Sequence, residues 1–155
     1  MSQPLAYFLT WTTYGTWLHG NGKGSVDRHN ACYGMELHGA DGKWTSVTRK
    51  RMKEDPLSLS PAERQVVEGT VRAHCRLRDW RMIGVNCRRN HVHVLLSTDG
   101  TSPEKVMREL KAYCTRALKV ECGIARGRFW TRGGSTRYVW TEAALLSAEQ
   151  YVRWQ

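Results

Sequence analysis

Trp80-Arg81-Met82-Ile83-Gly84-Val85-Asn86-Cys87 runs through Arg88-Arg89-Asn90 into His91-Val92-His93-Val94-Leu95-Leu96-Ser97. Two alternating runs, apolar and β-branched at their inward positions, flank a short polar turn and read as a β-hairpin. Alternation puts Ile83, Val85 and Cys87 on one face of the first strand. In the second strand Val92, Val94 and Leu96 point toward a core, and His91 and His93 share the opposite face.

Helix signals stand on both sides of this hairpin. Upstream, Ser60-Pro61-Ala62-Glu63 supplies a capping serine, a proline in the first turn and a glutamate three residues after the serine. Val66, Val67, Thr70, Val71, Cys75 and Leu77 then form an apolar stripe to about Arg78. Downstream, Ser102-Pro103-Glu104 repeats the device. Its stripe is Met107, Leu110, Cys114 and Leu118, with Val106 and Ala117 alongside, to about Glu121, and Gly123 stops it. Residues 5–14 read as a first strand, with Tyr7, Leu9 and Trp11 on one face and Ala6, Phe8 and Thr10 on the other. Ser135–Trp140 reads as a last strand, and Thr141-Glu142 opens a C-terminal helix. The order β-α-β-β-α-β predicts an α+β, ferredoxin-like antiparallel sheet with helices on one face, plus that trailing helix. One domain over 1–155 is expected, with an irregular glycine-rich insertion over about 19–60. A short helix is expected near 46–54 within it.

Charge narrows the function class. Lys and Arg number 24 against 14 Asp and Glu, a formal net charge of +10, which suits a polyanion whose counterions are released on binding. Seven Trp and six Tyr offer rings on which unpaired bases can stack; Trp130 and Trp140 are the candidates, with core packing as the competing use. No apolar run is long enough to span a bilayer, and Met1-Ser2-Gln3-Pro4 opens no secretion signal. Cys32, Cys75, Cys87, Cys114 and Cys122 include no C-x-x-C pair, so a zinc ribbon is not expected and free thiols in a reducing cytoplasm are. Gly20-Asn21-Gly22-Lys23-Gly24-Ser25 lacks P-loop spacing.

The histidines carry the chemistry. Two imidazoles at i and i+2 on a strand can converge on one ion. Imidazole suits Mn, Zn, Fe or Ni better than Mg, although phosphate oxygens can complete a Mg site. Tyr113, at the flank of the second helix's stripe, can anchor its ring in the core and turn its hydroxyl outward. Taken singly, each feature also has a plain structural reading: half-exposed strand histidines and a boundary tyrosine.

In combination they resemble a known family. Asn90-His91-Val92-His93 is similar to the histidine–hydrophobe–histidine motif of HUH endonucleases, and Leu110-Lys111-Ala112-Tyr113 resembles the nucleophile helix of their single-tyrosine transposases. Phe129-Trp130 with Tyr138-Val139-Trp140 resembles their last-strand region, and Tyr151-Val152 through Gln155 their aromatic-hydrophobic ending. Thr12-Thr13-Tyr14-Gly15-Thr16-Trp17-Leu18 resembles the REP-associated tyrosine transposases and their insertion-sequence relatives.

The resemblance implies a metal-dependent single-stranded DNA endonuclease and strand transferase in the bacterial cytoplasm, near the nucleoid. His91 and His93 would hold Mg²⁺ or Mn²⁺, and Tyr113 would form a 5′-phosphotyrosine link. Many relatives place a third ligand one helical turn after the tyrosine. Ala117 stands there and cannot ligate, so Glu109 or Glu121 is expected to substitute, with His74, Asp99 or water behind them. Hairpin DNA is the implied partner, contacted by Arg88, Arg89, Arg116, Lys119, Arg132 and Arg137. A homodimer, and a tyrosine acting within its own subunit or on its partner, are both open. The alternatives are a catalytically degenerate hairpin-binding protein of the same fold and a metal hydrolase such as a ribonuclease.

Overall fold

The computed structural model describes residues 2–16 and 52–154. The elements are β1 (Ala6–Thr12), α1 (Pro61–Leu77), β2 (Arg81–Cys87), β3 (His91–Ser97), α2 (Pro103–Cys122), β4 (Ser135–Val139) and α3 (Glu142–Trp154). The strands form one sheet in the order β2-β3-β1-β4, and each neighbouring pair is antiparallel. Each β-α-β half is therefore split by a strand of the other half.

Both long helices begin as their sequences dictate. The Ser60 hydroxyl accepts from the Glu63 amide at 3.2 Å, and the Glu63 carboxylate accepts from the Ser60 amide at 2.7 Å. The Ser102 hydroxyl accepts from the Lys105 amide at 3.3 Å. At the other end of α2, Gly123 takes φ 67°, a left-handed cap that glycine adopts without a Cβ penalty.

Strand parity divides the interior into two cores. Tyr7, Leu9 and Trp11 of β1 and Val92, Val94 and Leu96 of β3 pack against α1 and α2 through Val67, Val71, Cys75, Leu110, Cys114 and Leu118. On the other face Ala6, Phe8, Leu95 and Val139 pack against α3 through Val152, with Leu145, Ala148 and Tyr151 alongside. Two helices cover one face and the trailing helix covers part of the other. This is why β1 and β3 read as almost continuous apolar runs.

One expected face assignment fails. The β2–β3 register shifts between Met82 and Gly84, so Ile83 is the extra residue of a bulge. Ile83 packs in the α3-side core, while Val85 stays on the α1/α2 side. Gly84 lets α3 approach: a Cβ there would meet Val152 Cγ1 at 3.3 Å.

The expected insertion over 19–60 falls mostly outside the described residues, as do the glycine-rich run at 20–25 and residues 46–51 of the expected helix at 46–54; its last three residues, 52–54, are described and are not helical. The last residues of the insertion belong to the packed body. Leu57 and Leu59 are buried, and their amides donate to the carbonyls of Tyr14 and Arg89 at 2.9 and 2.7 Å. Cys75, Cys87 and Cys114 are buried. Burial pushes the Cys75 thiol up to about 11 and Cys87 to about 12, which suits packing groups rather than nucleophiles. No helix among the described residues is long and apolar enough to cross a membrane.

Candidate active site

Strand β3 presents His91 and His93 beside β1, where Thr12 pairs with His91 and Thr10 with His93. These residues share the sheet face that α3 partly covers. The imidazole centroids are 4.8 Å apart. Each Nδ1 is engaged by a neutral oxygen: His91 with Asn90 Oδ1 at 2.7 Å, and His93 with Thr10 Oγ1 at 2.8 Å. A hydrogen bond on the ring nitrogen that does not ligate fixes orientation and tautomer. With Nδ1 donating, Nε2 is the nitrogen that carries a coordinating lone pair in both rings.

His93 is only 5 % exposed. Burial, then the neighbouring charges of His91 and Arg88, lower its pKa to about 3. It is therefore a neutral imidazole at physiological pH, the protonation state a metal ligand requires.

Tyr151 of α3 closes this side. Its ring lies 5.3 Å from the His93 ring, centroid to centroid, at 74°, and 5.9 Å from Phe8. Phe8 in turn stacks on His93 at 5.5 Å. Asn86 of β2 donates its amide to the Val152 carbonyl at 2.7 Å, which ties the helix turn bearing Tyr151 to the sheet.

Tyr113 lies elsewhere. It is on α2, across the sheet from His91 and His93. Its ring stacks on His74 of α1 with centroids 4.1 Å apart and an interplanar angle of 31°. The sheet separates it from the two imidazoles, because α2 covers the face that carries Val92 and Val94. The expectation that Tyr113 meets His91 and His93 fails within the chain, for reasons of strand parity.

The same separation removes the expected third ligands. Glu109 accepts from His74 Nε2 at 3.0 Å and from the Arg78 guanidinium at 2.9 Å. Burial opposes its ionisation, but those two bonds outweigh it and its pKa is lowered. Glu121 lines a groove of about 960 Å³ between α1 and α2, together with Tyr113, Arg116 and Ala117. His74, the fallback ligand, is 4 % exposed and bonded to Glu109 on that same side of the sheet. Among the described residues no group of three or more His, Cys, Asp and Glu converges on one point.

The basic candidates divide in the same way. Arg88 and Arg89 occupy the β2–β3 turn next to His91, exposed. Arg132 and Arg137 are exposed in the loop before β4 and on β4 itself. Arg116 instead lies 5.8 Å over the Tyr113 ring, and Lys119 lies 5.7 Å from the Phe129 ring centroid, both on α2.

The loop carrying Arg132 is tightly held. Lys111 Nζ donates to the carbonyls of Thr131, at 3.0 Å, and Gly133. Burial lowers the pKa of this ammonium to about 8. The Thr131 hydroxyl donates to the Thr13 carbonyl at 3.0 Å and accepts from the Thr12 hydroxyl at 2.8 Å. At Gly134, with φ 150°, a Cβ would come within 2.6 Å of the Thr10 carbonyl. The loop thus abuts the strand whose Thr10 holds His93.

Trp130 is a packing residue. It meets Trp11 edge-on at 6.1 Å, and its Nε1 donates to Thr115 Oγ1 at 2.9 Å.

Sequence reasoning passed over Tyr151, Thr10 and Asn86. One signal was present: Gln155, whose side-chain oxygen can ligate, follows Tyr151 by four residues in the sequence, whereas Ala117 holds the matching position after Tyr113.

The model of the family described as Transposase IS200 like matches residues 47–155. Among solved structures, the chain is similar to a REP-associated tyrosine transposase bound to a REP hairpin, at 12% identity and a TM-score of 0.56. That match covers 97% of this chain and 66% of the other, so the chain spans slightly less than two thirds of that relative. It is also similar to a Deinococcus radiodurans R1 protein described as a transposase, at 15% identity and a TM-score of 0.51, covering 99% and 92% of the two chains. At these identities the likeness shows a shared fold alone. No curated protein matches the chain.

Proposed function

The chain belongs to the IS200-like transposase family, and from that premise we propose that it cuts and rejoins single-stranded DNA, with Tyr151 as nucleophile and His91 and His93 as ligands of a divalent metal. The observation that carries this reading is the approach of the Tyr151 and His93 rings, 5.3 Å between centroids, on the face where both imidazoles stand.

The two imidazoles fit half of a metal site. Both are oriented through Nδ1, and His93 is held neutral. Gln155, four residues after Tyr151 in the sequence and outside the described residues, is the proposed third ligand through its amide oxygen, with phosphate oxygens or water completing the set. Bound there, Mg²⁺ or Mn²⁺ offsets charge on the scissile phosphate and makes the phenol, whose ordinary pKa is near 10, easier to ionise.

The chain's own groups do the rest. Asn90 and Thr10 hold the imidazoles in register. Arg88 and Arg132 bring phosphates to the histidine end of the sheet. Tyr151 Oη gives its proton to solvent water and bonds to phosphorus, while the bond from phosphorus to the 3′-oxygen breaks and that oxygen takes a proton from solvent. The products are a 5′-phosphotyrosine and a free 3′-hydroxyl. The ester energy is conserved, so a 3′-hydroxyl can reverse the step without ATP. The reading needs one chain only, with the tyrosine acting in its own subunit on hairpin-bearing DNA.

The test is direct. The protein is incubated with Mn²⁺ and hairpin-containing oligonucleotides taken from the DNA around its own coding sequence, digested with trypsin and analysed by mass spectrometry. Nucleotide attached to the Tyr151 peptide is expected. Attachment at Tyr113 would refute the assignment. Tight hairpin binding without an adduct at any metal concentration would favour the degenerate DNA-binding alternative.

A further inference from the structure

The edge strand β4 carries an aromatic and basic track that the cleavage chemistry leaves unused. Tyr138 and Trp140 stack with ring centroids 5.9 Å apart and an interplanar angle of 25°. Tyr7 meets Tyr138 edge-on at 5.4 Å, and the β1 register pairs the same two residues. The ring pair is therefore fixed by the sheet rather than free to collapse. It is also open: Tyr138 is 44 % and Trp140 54 % exposed. Among the described residues, strand β4 ends the sheet, with β1 as its neighbour.

Arginines run beside the rings. Arg132 precedes β4 at the histidine end and is exposed, whereas Arg137, paired with Phe8, stands on the opposite face of β4 from Tyr138. Arg108 joins Arg132 from α2. It lies one turn after Glu104, which accepts from Thr136 Oγ1 at 3.4 Å, and nearly one turn before Lys111, which donates to Thr131. Residues at that spacing share one helix face, so Arg108 is directed toward β4. The carboxylates close by in the chain are Glu104, already engaged by Thr136, and Glu142.

We propose that Tyr138 and Trp140 form a stacking platform for unpaired bases of a DNA strand, whose phosphates are held beside β4 by Arg132 and Arg108. This inference rests on the DNA-processing reading above. Fixed exposed rings with cations beside them are what a single strand requires, because each unpaired base offers a π-face and each phosphate a charge. A second copy paired edge to edge suits the surface less well. Antiparallel pairing of a five-residue strand with itself would bring Arg137 toward its own copy, and edge arginines oppose such pairing.

The experiment measures affinity of the full chain for a labelled hairpin with unpaired extensions on both ends and for the same hairpin with none. Trp140→Ala is expected to weaken binding of the extended hairpin by roughly 5- to 150-fold and to leave the blunt hairpin within about twofold. Trp140→Phe keeps most of the affinity. Trp140→Leu retains apolar bulk without a π-face and behaves as Trp140→Ala, which covers the case in which alanine impairs folding. Equal loss on both DNAs, no loss on either, or conversion of a dimer to a monomer with DNA affinity unchanged would overturn the platform. A wild-type protein that binds neither DNA would overturn the DNA-processing reading itself, a result separable from a platform that fails while binding persists.

Discussion

Each face of the sheet sets a tyrosine against a histidine, and the two pairs are built for different work. On the α1/α2 side Tyr113 lies over His74 with its ring tilted by 31°. The Nε2 of that imidazole is bonded to Glu109, which Arg78 also holds. On the α3 side Tyr151 stands edge-on to His93, whose Nδ1 is engaged by a hydroxyl rather than a carboxylate, with a second imidazole 4.8 Å away. A tyrosine–histidine contact is thus common to both, and only on the α3 side does a second imidazole stand beside it among the described residues. The difference lies in what occupies the ring nitrogens. His74 is tied through Glu109 to Arg78, whereas His91 and His93 are each held through Nδ1 by a neutral oxygen.

The comparison can be broken most sharply at the tyrosines. Tyr151→Phe is expected to lower cleavage of hairpin DNA by about a thousandfold or more, since the nucleophile is gone. Tyr113→Phe is expected to leave it within about twofold. Single-turnover cleavage on denaturing gels reads both, and equal loss in the two variants would dissolve the contrast between the faces. The next effect belongs to the oxygens that orient the imidazoles. Thr10→Val and Asn90→Ala are each expected to weaken Mn²⁺ binding by about 10- to 100-fold, measured by titration calorimetry on DNA-free protein, with the melting temperature little changed. Unchanged affinity would mean that these bonds do not orient the rings. The smallest effect is expected on the other face. Glu109→Ala leaves a buried His74 nitrogen without its partner and should cost about 1–3 kcal/mol of stability in urea unfolding, with Mn²⁺ affinity and cleavage by the folded protein intact. Loss of metal binding in that variant would mean that the two faces are coupled through the sheet.

Much of the architecture was legible because local signals agreed with one another. Ser60-Pro61 and Ser102-Pro103 announced both helix starts, Gly123 a stop, and alternation in His91–Ser97 the strand and its two faces. Ile83 was misread because a bulge is a property of pairing, and the residue it displaces carries no mark in its own strand. Tyr113 was misread for a related reason. Helix periodicity tells which side of α2 a residue occupies, but not which side of the sheet α2 covers. The decisive geometry joins residues 58 positions apart, His93 and Tyr151, through Asn86 and the close approach at Gly84. Trp130 and Trp140 were equal candidates for stacking on composition alone. Packing separated them, setting one half-buried and edge-on against Trp11 and leaving the other open at the sheet edge.

By itself the sequence determined the order of elements, the shared face of His91 and His93 and a cationic surface suited to nucleic acid, because each depends on residues close along the chain or on summed charge. Only the tertiary structure decided which tyrosine meets the imidazoles. A β-sheet is an opaque wall between its two faces, and the face a helix covers is set by chain crossings and strand order rather than by the residues of the helix.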